Sequence, residues 1–126
     1  KTIVNCAPNE ENLASTVIDN CQTGQIFAAS LSLKGFSELL KRAELYVGGD
    51  TSVTHLAVAA KTPVVGIFGP TEWWRNGSPI ETDICVERDD IGCRVDCHRR
   101  TCGNWICLDI EVNEVLRAIE KRLKLT

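Results

Sequence analysis

The chain has 126 residues, enough for one domain with a core that needs neither disulfides nor metal to fold. Apolar residues make up 44% and charged residues 25%, which excludes a disordered or fibrous chain. A net charge of −3 argues against a nucleic-acid binder that relies on a basic excess, and no apolar run approaches the ~18 residues of a membrane span.

The N-terminus reads as the start of a core strand, Thr2 to Cys6, with no secretory h-region before it. A piece of a larger protein is therefore expected. Ala7-Pro8-Asn9 punctuates the strand. Leu13, Ala14, Val17, Ile18 and Cys21 then recur at helical spacing, with Asn9 as the expected N-cap and Gly24 as the stop. Gln25–Ala29 is a weak strand. Phe36, Leu39, Leu40 and Ala43 mark a second amphipathic helix. Leu45–Gly49 is a buried strand ending in two glycines, Ser52–Ala60 a third helix, and Pro63–Phe68 the clearest buried strand, broken by Gly69-Pro70.

Beyond Glu72 the pattern changes. Residues 73–79 read as loop, Ile84–Val86 as a last strand, and residues 89–108 as an aperiodic segment holding four cysteines. Val112, Val115, Leu116, Ile119 and Leu123 form a C-terminal amphipathic helix over 111–124, with Lys121, Arg122 and Lys124 at its negative dipole end. Strands alternating with helices predict an α/β fold: a Rossmann-like parallel sheet with helices on both faces. Ligands of such sheets bind outside the carboxyl ends of the strands. That rule points to three turns, at 7–10, 48–54 and 69–75.

The segment Gly48-Gly49-Asp50-Thr51-Ser52-Val53-Thr54-His55 carries the chemistry. A strand ends in glycines and a helix begins at once with hydroxyl residues. The first turn of a helix offers unpaired N–H groups and the positive dipole end, a site for a diphosphate. The segment is neither a GxGxxG fingerprint nor a P-loop. Thr51 and His55 share one side of the helix, where His55 is either a phosphate donor or a capping or core histidine. Asp50 either complements the dipole or accepts from sugar hydroxyls; beside a diphosphate it would face the sugar.

Asp50-Thr51-Ser52-Val53-Thr54-His55-Leu56-Ala57, followed by Pro63-Val64-Val65-Gly66-Ile67-Phe68-Gly69-Pro70-Thr71, resembles the signature of family 9 glycosyltransferases, the heptosyltransferases of lipopolysaccharide core synthesis. The resemblance covers nearly the whole chain. Ser32-Leu33-Lys34-Gly35-Phe36 and Cys107-Leu108-Asp109-Ile110 are similar to two further family segments.

The resemblance implies the C-terminal, donor-binding half of a two-domain GT-B enzyme, a single domain over residues 1–126. It implies transfer of heptose from ADP-heptose to the lipopolysaccharide core with inversion at the anomeric carbon. Thr51, Ser52 and His55 would hold the diphosphate, Asp50 the sugar, Glu10 (or Glu11) the ribose, and Leu31 would pack by the base. Without the resemblance, Glu10 reads as a solvated first-turn glutamate.

The implied partners are an ADP-sugar and a lipopolysaccharide acceptor reached through an N-terminal domain absent from this sequence. Nucleic acid is not expected. The implied place is the cytoplasm, with a peripheral contact at the inner face of the inner membrane left open. No cofactor is called for, because helix amides and hydroxyls can carry the diphosphate charge. The general base is expected in the absent domain, so no catalytic residue is named and the chain alone is expected to be inactive.

Two departures from the family pattern stand out. Ser52 replaces a glycine, and Trp73-Trp74 replaces the commoner Asp-Pro. The tryptophans either pack or contact a sugar or an acceptor lipid.

Cys93, Cys97, Cys102 and Cys107 lie within fifteen residues at spacings looser than zinc knuckles. Metal, disulfides and free thiols all remain open, with Asp96 and His98 as alternative ligands; Arg94, Arg99 and Arg100 could make the loop a basic contact surface. Two alternative functions follow: a non-catalytic nucleotide-binding module, and a metal or redox module centred on this loop.

Overall fold

The computed structural model describes residues 1–22, 24–93, 97 and 101–125. The chain is α/β, with parallel strands joined by helices, and it divides into two compact units, Lys1–Phe36 and Ser37–Thr126.

In the first unit β1 (Thr2–Asn5) and β2 (Ile26–Ala29) pair in parallel, Thr2 opposite Ile26 and Asn5 opposite Ala29, joined through α1 (Glu11–Asp19). The expected Asn9 cap is not formed. Asn9 has φ of +72° and Glu10 N–H donates to Ala7 O at 3.0 Å, so Pro8 and Asn9 occupy the middle of a tight turn. Proline at the second place and asparagine at a positive-φ third place suit that turn chemistry. Glu10 takes the N-cap position instead. The helix also stops before Gly24: it ends at Asp19, and Asn20 Nδ2 closes it by donating to Thr16 O at 2.8 Å. Gly24, with φ of +64°, serves the turn into β2.

Helix α2 (Leu33–Leu40) runs through the division between the units. It starts earlier than its apolar spacing implied, because Ser32 Oγ accepts the Gly35 amide at 3.3 Å as an N-cap does.

The second unit holds a parallel sheet in the order β3 (Tyr46–Gly48), β4 (Val64–Phe68), β5 (Ile84–Glu87). Helix α3 (Ser52–Ala59) connects β3 to β4 and packs on both. The central strand β4 is buried on both faces. Val65 joins Val86 and Ala118 in a core with Val115 and Ile119 of α5 (Val112–Lys124). Alternate residues Val64 and Phe68, each with no exposed surface, point to the other face. There the Trp73 ring meets Phe68 edge-on at 5.1 Å.

Two sequence expectations shift. Residues 73–76 form a short helix, α4 (Trp73–Asn76), rather than loop. And α5 brings only part of its expected apolar face to the sheet, Val115 and Ile119 packing on the core. Val112, Leu116 and Leu123 stay exposed, while Ala118 and Arg122 are buried. A buried ion pair holds it so: Arg122 Nε lies 3.0 Å from Asp83 Oδ1, and both side chains are almost inaccessible.

Candidate functional site

The turn from β3 into α3 is built by packing rather than by unusual backbone angles. Neither Gly48 nor Gly49 has positive φ. Gly48 makes room for the Tyr46 ring, which folds back over it; a Cβ there would overlap the Tyr46 hydroxyl. Thr54, 1% exposed, locks the turn from inside: its hydroxyl donates to Gly49 O and lies 3.1 Å from Tyr46 Oη. Thr54 is therefore a structural hydroxyl, whereas Thr51 and Ser52 are exposed.

Thr51 is the N-cap of α3 in an extended conformation, and its side chain makes no capping bond. Its carbonyl accepts the Thr54 and His55 amides. Among the described residues the amides of Ser52 and Val53 have no acceptor. Two N–H groups, the dipole end and two accessible hydroxyls thus converge where an anion gains most.

Asp50 sits beside this turn with its carboxylate addressed on both oxygens. His55 Nε2 lies 3.7 Å from Oδ1 and Asn76 Nδ2 donates to Oδ2 at 3.2 Å. His55 is an exposed surface histidine next to Asp50, not a core one. Asn76 was not singled out from the sequence. It comes from α4, whose start is held by the Trp73 amide donating to Glu87 Oε2 at 3.4 Å. The turns after β3 and β4 therefore meet at Asp50, as the carboxyl-edge rule anticipates. A polar residue soon after the Gly69-Pro70 break was the available signal.

Glu10 and Leu31 belong to the first unit. Glu10 Oε2 accepts the Ala7 amide at 3.1 Å, which leaves Oε1 for another donor; Leu31 is 45% exposed.

The cysteine segment contains a 3₁₀ turn, Ile106–Leu108, that buries Cys107. Burial, with the neighbouring thiols of Cys97, Cys93 and Cys102, pushes the Cys107 thiol above its ordinary range. Cys102 Sγ accepts the Asn104 amide at 3.4 Å. Among the described residues no three His, Cys, Asp or Glu side chains converge as a metal-binding group, and no disulfide links the cysteines. The candidates Asp96, His98, Arg94, Arg99 and Arg100 lie outside the described residues.

A cavity of about 330 Å³ lies elsewhere, between β5 and the start of α5, lined by Glu87, Arg88, Asp89, Asp90, Asp109, Glu111 and Glu114. Six carboxylates against one guanidinium would repel a diphosphate, and Asp90 already grips Arg88 Nε at 2.6 Å. The anion-seeking geometry belongs to the Asp50 turn.

Residues 1–104 match the model of glycosyltransferase family 9 (heptosyltransferase). The chain is 31% identical over 81 residues to lipopolysaccharide heptosyltransferase 3 of Escherichia coli strain K12, covering 60% of this chain and 24% of that protein. A second lipopolysaccharide heptosyltransferase 3 from Escherichia coli is 27% identical with the same coverage. The chain thus spans about a quarter of the length of these curated relatives. No solved structure matches. The Cys107–Ile110 segment and α5 lie beyond the matched residues. Among the described residues no helix is long and apolar enough to cross a membrane.

Proposed function

The chain belongs to glycosyltransferase family 9, the heptosyltransferases, and on that premise we propose that it is the donor-binding part of an enzyme that transfers heptose from ADP-heptose to a lipopolysaccharide core. The observation that carries this reading is the start of α3, where the Ser52 and Val53 amides lie unpaired beside the exposed Thr51 and Ser52. Those groups take the donor diphosphate. The positive end of α3 lowers the cost of the charge that grows on the leaving ADP as the glycosidic bond breaks.

Asp50, held between His55 and Asn76, faces the sugar and accepts from its hydroxyls. Restraining the sugar in this way contributes orientation. His55 adds a donor toward the diphosphate from the same side of the helix. Glu10 and Leu31 are assigned to the ribose and the base on the similarity of their sequence surroundings alone. An acceptor hydroxyl attacking opposite the leaving group inverts the anomeric carbon. That attack needs a general base within hydrogen-bond reach of the hydroxyl. The base belongs to the N-terminal half of a GT-B enzyme, which works in the cytoplasm where nucleotide sugars are made, and this chain alone does not turn over.

Calorimetric titration with ADP and with ADP-heptose tests the reading. Both should bind, the sugar nucleotide more tightly, and Asp50→Asn should erase the difference while leaving ADP affinity in place. A protein indifferent to the sugar is not the donor half of a transferase.

A further inference from the structure

The proposed donor site uses no residue of the cysteine segment. Four thiols, Cys93, Cys97, Cys102 and Cys107, lie there within fifteen residues. Among the described residues no three of them converge, which removes the geometry a thiolate metal centre requires. Burial does most to raise the Cys107 thiol, and the thiols of Cys97, Cys93 and Cys102 add to it in that order, so all three lie within electrostatic reach of Cys107. Cys107 itself sits on a pinned turn. Trp105, just before the 3₁₀ turn, has φ of +43°, a left-handed backbone that a bulky residue adopts only where its surroundings hold it. Leu108 N–H donates to Trp105 O at 2.9 Å, and Arg88 Nη1 donates to Asp109 O at 3.1 Å. The turn also rests on the end of β4: a Cβ on Gly69 would overlap the Leu108 side chain and stand 3.5 Å from Cys107 O. Gly69 opens the connection to α4, whose Asn76 holds Asp50.

We propose that Cys97 and Cys107 form a reversible disulfide, and that this cross-link fixes the turn that seats α4 against Asp50. Cys102 has its sulfur engaged by the Asn104 amide, and Cys93 lies out at the surface, which leaves Cys97 as the partner. Cys97 is half-buried and Cys107 buried, so a small-molecule disulfide meets Cys97 first. The Cys97 thiolate attacks one sulfur of that reagent, whose S–S bond breaks and releases one thiolate. The Cys107 thiolate then attacks the Cys97 sulfur and expels the second. Two protein thiols are oxidised, one reagent disulfide is reduced to two thiols, and the two protein protons pass to them. A thiol of raised pKa gives little thiolate but a strongly nucleophilic one, which suits this internal second step. One consequence rests on the donor reading: the oxidised chain holds Asp50 more rigidly and discriminates more sharply between ADP-heptose and ADP.

The test treats the chain with oxidised glutathione, maps it by peptide mass spectrometry, and follows the Gly69 amide and the Asn76 side-chain amide by NMR. A Cys97–Cys107 linkage should appear, vanish with dithiothreitol, and shift both signals. Cys93→Ser should keep the linkage and the shifts. Cys97→Ser and, where it folds, Cys107→Ser should lose both. A different pairing, glutathione retained on Cys97 as a mixed disulfide, or one zinc ion held by the four thiols in place of a linkage overturns the inference. So does a linkage that leaves the Gly69 and Asn76 signals unmoved. ADP and ADP-heptose titrated into both redox forms separate the two readings. Failure of ADP to bind either form sinks the donor reading, while the mass map and the two NMR signals still decide the cross-link.

Discussion

Asn76 Nδ2 reaches Asp50 Oδ2 across 3.2 Å, so a residue after the fourth strand orients a carboxylate after the third. In the donor reading Asp50 must be held at one angle to select a sugar. Asn76→Ala removes one of its two restraints and should lower ADP-heptose affinity about tenfold, the scale of one hydrogen bond to a charged group, with ADP affinity unchanged. Asn76→Asp, which sets a second carboxylate against Asp50, should cost more. Calorimetry on both variants checks the order.

The buried pair of Asp83 and Arg122 fixes how α5 lies on the sheet. Asp83 Oδ1 also accepts the Val64 amide at 2.9 Å, and Oδ2 accepts the Ser78 hydroxyl. Asp83→Ala strips all three donors of this acceptor and takes a carboxylate away from a buried guanidinium. A loss of about 3–5 kcal/mol in urea denaturation is expected. Adding Arg122→Met to that variant should restore part of the loss, because the buried charge is then gone.

Helix α3 ends in a Schellman pattern: Thr62 N–H donates to Ala57 O and Lys61 N–H to Val58 O, with Lys61 at φ of +59°. Glycine is the usual residue at that position, since a Cβ is strained there. Lys61→Gly should therefore stabilise the chain by about 1 kcal/mol, read as a raised urea midpoint at constant slope.

Cys107 should be the slowest of the clustered thiols to alkylate. Burial and its thiol neighbours raise its pKa, so at a given pH it holds less thiolate, the reactive form. Iodoacetamide labelling followed by peptide mass spectrometry at rising pH should show Cys93, which is exposed, modified first and Cys107 last.

The strand and helix order was legible because buried parallel strands read as continuous apolar runs and the helices between them as 3.6-residue patterns. The Asp50 turn was legible for the same reason: its glycines and hydroxyls follow directly on such a run. What sequence alone did not give depends on partners far along the chain. Asn76 lies 26 positions from Asp50 and Arg122 lies 39 from Asp83, and no local period encodes either pairing. The inward face of α5 was legible only in part: Val115 and Ile119 pack on the core as their spacing implied, while Arg122 is buried and Val112, Leu116 and Leu123 stay exposed. Gly48 and Thr54 had no role legible in the sequence. Close packing against Tyr46 explains both.

If the opening turn of α3 binds the diphosphate of a nucleotide, ADP titrated into ¹⁵N-labelled chain must perturb the amides of that turn. Saturable shifts concentrated at Gly49, Thr51, Ser52, Val53 and His55, weakened as salt rises, are expected. Shifts that map to the acidic cavity around Arg88, or no saturable shifts at all, would contradict it.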